Sequence, residues 1–167
     1  MDDVVARALN ELGWFPSLET AREVETIQSI QETEREALTK ARVGQGRFRV
    51  DVVALWGCCA VTGCALSQLL VASHIVPWKN ATNAERLDPF NGLLLTPNLD
   101  RLFDQFLIAF NDDGSILFSN TLTADVRAAL GVNGQCKLRF VWPAMVPYMQ
   151  RHRRIYLESE SWTDLAR

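Results

Sequence analysis

The sequence predicts an α+β fold: a small strand–loop–strand–helix core with helical additions on its N-terminal and C-terminal sides. Apolar residues recur at helical spacing before residue 56 and after residue 121. Between them, short β-favouring runs alternate with loops rich in Pro and Asn. The composition agrees with a packed domain, since 48% of the 167 residues are hydrophobic and 22% charged. A chain of this length buries roughly 70% of its unfolded surface, so no metal or disulfide is needed merely to hold it together.

The elements follow in order. Val4, Val5, Ala8, Leu9 and Leu12 share one face of a short helix over residues 3–12, stopped by Gly13. A longer helix is expected over residues 21–43, opened by a Thr20/Glu23 capping box and striped by Val24, Ile27, Ile30, Leu38 and Ala41, with Gly44 and Gly46 as its end. Such a stripe must be buried, on the core or against a second copy of the chain. Phe48 to Trp56 reads as a further helix. LLVASHIV (69–76) and NGLLLT (91–96) are short strands separated by a polar loop containing Pro77, Asn80, Asn83 and Pro89. Pro97 suits the first turn of a helix over 97–106, whose Leu99, Leu102, Phe103 and Phe106 lie at helical spacing. LIAFNDDGSILFS (107–119) is a hairpin turning at Asp113–Gly114. Residues 122–130 form a helix closed by Gly131, KLRFVW (137–142) a strand, and 147–157 a final helix opened by Pro147. The partition expected is an N-terminal helical segment (1–47), a core (48–120) and a C-terminal helix–strand–helix extension (121–167).

Several classes are excluded. No run of 18 apolar residues provides a membrane span, and the opening MDDVV lacks the basic-then-apolar layout of a secretory leader. Cys58, Cys59, Cys64 and Cys136 are not spaced as a disulfide framework, which suggests reduced thiols in a cytoplasmic protein. A net charge of −3 does not advertise a nucleic-acid binder, but contact depends on a local basic face. Basic residues gather at Lys40, Arg42, Arg47 and Arg49, and again at Arg151, Arg153 and Arg154. Solvated surface is the plain alternative for each cluster.

The chemistry centres on His74, one of only two histidines, at the end of a strand-like run. Imidazole is the side chain best suited to take a proton from water near neutral pH. On the helix that follows the second strand, Asp100 and Asp104 are four residues apart and project from one face. Hard carboxylate oxygens at that spacing suit Mg²⁺, with Mn²⁺ as the alternative. Asn91, between them in the chain, carries an amide able both to donate and to accept, suited to tying the loop and orienting the His74 ring. It also serves equally as a turn residue. Phosphodiester hydrolysis needs such a base and such a cation.

CAVTGC, SHIVPW, LDPFNGLLLTPNLDRLFDQ and LIAFNDDG, all between Trp56 and Phe110, together resemble the HNH endonuclease family, in particular its bacterial restriction-like and antiphage branch. The resemblance implies a ββα-metal core and a metal-dependent DNA endonuclease, with DNA as substrate. It makes His74 the residue that activates water, Asn91 the catalytic-motif residue that shapes the loop, and Asp100 a metal ligand, with Asp104 as a second ligand one turn later. Arg101 and Lys79 are candidate nucleic-acid contacts, and Trp78 either stacks on DNA or packs over the loop. Two departures stand out. Many members carry Asp or His before the base, where this chain has Ser73, a poorer ligand. Many also bind a structural zinc through two CxxC pairs, whereas Cys59 and Cys64 are separated by four residues and positions 96–99 read Thr, Pro, Asn, Leu; no structural zinc is expected. The alternative is a catalytically weak module that keeps the fold and binds DNA. Because one such site makes one nick, a homodimer is the favoured assembly, and a regulatory or sensor partner is compatible with the resemblance. His152, among three arginines, is expected on a charged helix face.

Overall fold

The computed structural model describes residues 32–165, with side chains for 44–161. The helix expected over residues 3–12 lies outside the described residues. So does the first half of the 21–43 helix, together with the side chains of its whole stripe. The chain divides into two compact units, Met1–Arg42 and Val43–Arg167. Of the first, the described residues are 32–42, all helical. The second carries both sheets and the site.

The expected break at Gly44 and Gly46 does not occur. One helix, α1 (Glu32–Trp56), runs through both glycines. Two helical glycines cost about 2 kcal/mol relative to alanine. Burial on the far side outweighs that cost: Phe48, Val52 and Trp56, spaced i, i+4 and i+8, form one fully buried stripe. That stripe seats on a two-stranded antiparallel sheet, β1 (Val71–His74) and β2 (Gly92–Leu95), in the register Val71 to Leu95 through His74 to Gly92. All four residues of β2 are buried, because the strand is covered on both faces and reads as an unbroken apolar run rather than an alternating one. Its outer edge is also occupied, by the Ala60 amide donating to Leu94 at 2.6 Å.

Gly92 makes this approach possible. A Cβ there would lie 2.5 Å from Val52 Cγ2 and 2.8 Å from the Phe48 ring, with the Pro89 carbonyl 3.1 Å away. Its carbonyl meanwhile accepts the Trp56 indole N–H at 3.0 Å. Helix and strand thus touch backbone to side chain, which only glycine permits.

Helix α2 (Pro97–Asp104) covers the other face through Leu99, Leu102 and Phe103, all buried. It stops in a tight C-terminal turn: the Phe106 amide bonds the Phe103 carbonyl at 3.0 Å and the Leu107 amide bonds Leu102 at 2.9 Å. That turn needs a left-handed residue, and here it is Phe106, with φ 53°. The helix therefore ends two residues before the expected 106.

The hairpin of β3 (Ile108–Phe110) and β4 (Ile116–Phe118) forms as expected, and Ala124–Ala129 is the short helix α3. KLRFVW, by contrast, is not a strand. Lys137 makes a single bridge to Ser115, the Leu138 amide bonds Gly114 at 2.9 Å, and the Arg139 amide bonds Ala60 at 2.8 Å. Consecutive amides go to two different elements, so no ladder develops along either. The last helix, α4 (Val146–Leu165), is longer than expected and packs on β3 through Met149, His152 and Tyr156. All four cysteines are free thiols. Among the described residues no helix is long and apolar enough to cross a membrane.

Candidate functional site

The predicted site residues meet at the end of β1 but divide between its two faces. Successive strand side chains turn to opposite faces, so Ser73 faces α2 while His74 faces α1. The His74 ring lies flat on Phe48, centroids 3.6 Å apart and planes 9° apart, with Trp78 edge-on at 5.5 Å. Its Nε2 is 3.0 Å from the Arg86 backbone carbonyl. A carbonyl can only accept, so in the neutral ring Nε2 carries the hydrogen and Nδ1 keeps the free lone pair. Burial holds the imidazole below the ordinary histidine value. The Arg86 carbonyl acts in the opposite sense, and the Arg86 guanidinium pushes it lower again. The ring is therefore a neutral base at neutral pH, with its tautomer set by a main-chain atom.

Asn91 builds the loop that supplies that atom. It is fully buried. Its Oδ1 accepts the Val76 amide at 2.8 Å and its Nδ2 donates to the Glu85 carbonyl at 2.9 Å. The Ile75 amide bonds its main-chain carbonyl at 2.9 Å. Every polar atom of the side chain is used on the loop, and the His74 ring is held one residue away, by Arg86. Thr82, Asn83 and Glu85 brace the loop, with the Thr82 amide on Glu85 at 2.8 Å and Arg86 on Asn83 at 2.9 Å.

On the other face, the Ser73 hydroxyl is buried and donates to Asp104 Oδ1 at 3.3 Å. Burial raises Asp100 above the ordinary carboxylate range, and the nearby Asp104 charge raises it further, while the neighbouring Ser73 hydroxyl and Arg101 lower it. Neither carboxylate makes an ion pair among the described residues, where the three salt bridges are Arg47–Asp51, Arg151–Glu85 and Arg153–Asp112. Two repelling carboxylates with a hydroxyl between them are a donor set suited to a hard divalent cation that completes its shell with water and phosphate oxygens. They do not make a closed cage: among the described residues no three His, Cys, Asp or Glu side chains gather to hold a metal.

Arg101 and Lys79 are both exposed. Trp78 is half-buried and packs over the loop, under the Arg86 guanidinium at 4.9 Å. The C-terminal basic cluster is largely spent on structure, with Arg151 on Glu85 and Asn80 and Arg153 on Phe110 and Asp112. His152 is not on a charged face. It is buried, stacked on Phe103 at 3.8 Å, and its Nε2 lies 3.1 Å from the Phe103 carbonyl. Burial pushes it down to about 4. Its spacing from Met149 and Tyr156 marks this apolar face, and the flanking arginines mask it. Sequence reasoning also missed Phe48 and Arg86. Phe48 is legible in its i, i+4, i+8 spacing with Val52 and Trp56. Arg86 acts through its carbonyl, which no side-chain pattern reveals.

Residues 59–111, from Cys59 through the sheet, loop and α2 to the turn of the second hairpin, match the model of the HNH endonuclease family. This segment is therefore of the HNH endonuclease family, a class of nucleases, and its α+β core is of that type. No curated protein matches the chain.

Proposed function

We propose that the chain is a metal-dependent DNA endonuclease in which His74 is the general base and Asp100 and Asp104 hold the cation. The observation that carries the reading is the state of His74: a half-buried, neutral imidazole whose Nε2 is committed to the Arg86 carbonyl, leaving Nδ1 to take a proton. Nδ1 accepts the proton of the attacking water, and the Arg86 carbonyl stabilises the imidazolium that results. Phe48 and Trp78 keep the ring from turning. Ser73 ties the end of β1 to Asp104 on α2, with Asp100 one turn away. A divalent cation bound there, Mg²⁺ by the hardness of the donors, supplies charge neutralisation on the scissile phosphate. Asn91 serves the reaction by shaping the loop, and the exposed Arg101 and Lys79 contact the nucleic-acid backbone.

Nicking of supercoiled plasmid in Mg²⁺ or Mn²⁺, abolished by EDTA, tests this. Ser73 in the position of a stronger ligand favours a second reading, a DNA-binding module of little activity, which retention of plasmid without nicking would establish. A role in restriction or antiphage defence follows from the resemblance, and unchanged phage plating on expressing cells would contradict it. Concerted cutting of both strands calls for a homodimer, and a monomer by light scattering at all concentrations would exclude it.

A further inference from the structure

Helix α4 lies beyond the segment that matches the family, yet its side chains grip the loop that holds the base. Arg151 donates through Nη1 to Glu85 Oε1 and through Nη2 to the Asn80 carbonyl at 3.1 Å. One turn earlier, the Tyr148 hydroxyl donates to Asp88 Oδ2 at 2.7 Å. Between these anchors lies Arg86, whose carbonyl accepts from His74. Glu85 is held twice, at its carboxylate by Arg151 and at its carbonyl by Asn91. The very next carbonyl is the one that fixes the imidazole.

We infer that Arg151 is a positioning residue for His74: by bridging Glu85 and the Asn80 carbonyl, it fixes the Arg86 carbonyl and so selects the imidazole tautomer with hydrogen on Nε2. An exposed ion pair on its own contributes little to stability. This one differs in joining two points of a single loop to a helix, with the guanidinium fork spanning both acceptors. Arg151 touches neither base nor cation ligand. Its effect reaches His74 only through the loop. The consequence for catalysis rests on the reading of His74 as the base, but the effect on the ring does not.

Long-range ¹H–¹⁵N spectra of the labelled full chain at a pH where imidazole is neutral read the tautomer directly. Only two histidines contribute, and His152→Phe assigns them. The wild type should show His74 with hydrogen on Nε2 alone. Arg151→Met should move the His74 ring nitrogens toward a mixture of tautomers and lower nicking about 10- to 100-fold, the range for a misplaced reactive group. Arg151→Lys should recover part of both, because an ammonium can pair with Glu85 without spanning to Asn80. Glu85→Gln, which keeps the shape and weakens the clamp, should shift the same signals in the same direction, and it decides the matter if Arg151→Met does not fold. A wild-type ring protonated on Nδ1, or unchanged His74 signals in a folded clamp variant, overturns the inference. Signals that move as expected in a protein whose wild type does not nick DNA would instead overturn the nuclease reading and leave the positioning role intact.

Discussion

At the scale of single residues, the two halves of the site fail separately because they sit on opposite faces of one strand. His74→Ala removes proton acceptance and should reduce nicking about 10²–10⁴-fold. Metal binding should persist, since Ser73 faces α2, which itself carries Asp100 and Asp104. Calorimetric titration with Mn²⁺ checks that separation. Asp100→Asn behaves in the opposite way. Burial and the Asp104 charge already disfavour the Asp100 carboxylate, so the amide should leave the metal-free melting temperature unchanged or raised. The added stability that Mn²⁺ confers on the wild type should disappear. A wild-type-sized Mn²⁺ shift in Asp100→Asn would remove Asp100 from the ligand set.

His152 makes a different forecast. Burial holds it neutral, down to about 4 against an ordinary 6.5. The folded state thus refuses a proton that the unfolded chain accepts. Stability is fully present above about pH 6.5 and is lost as the pH falls toward about 4. His74, also lowered chiefly by burial, adds in the same direction. Urea melts across that window should show the decline. His152→Phe should shrink it, although stability at neutral pH also falls because the Phe103 carbonyl loses its donor.

At the scale of elements, the contact between α1 and β2 depends on one missing methyl. Gly92→Ala places a Cβ 2.5 Å from Val52 and 2.8 Å from Phe48, and overpacking of this kind costs about 1–3 kcal/mol. Because Phe48 carries the His74 ring, the variant should lose activity beyond its loss of melting temperature. Full nicking by a folded Gly92→Ala would show that the stack is dispensable. The short elements of the core were legible in the sequence because each has its own local marker. The two apolar runs, Pro97 at the start of α2 and Asp113–Gly114 in the hairpin are all punctuated locally. What failed were readings in which tertiary contact overrides local preference. Gly44 and Gly46 signal a helix end, yet α1 continues because Phe48, Val52 and Trp56 have a sheet to bury against. KLRFVW has strand composition, but its amides serve two separate elements. Phe106 stands where glycine would be unstrained, with φ 53° and its ring 4.7 Å from His152. Left-handed backbone at a side-chain-bearing residue costs about 1–2 kcal/mol, and no periodicity reveals it.

At the scale of the whole molecule, the family segment carries His74, its loop and the carboxylates, while the flanks pack against the His74 ring and the loop. Phe48 on α1 and Arg151 and Tyr148 on α4 all lie outside residues 59–111. His74, Asn91, Asp100 and Asp104 were legible as candidates from their spacing together with the family resemblance. The residues that orient them were not, because Arg86 acts through its main-chain carbonyl and Phe48 and Arg151 act from outside the family segment. Plasmid nicking by wild type and His74→Ala, each in Mg²⁺ and in EDTA, tests the central claim most directly. Nicking by the wild type in Mg²⁺ alone, with His74→Ala folded and inactive, is the expected result. Equal nicking by both proteins, or wild-type nicking that survives EDTA, would contradict it.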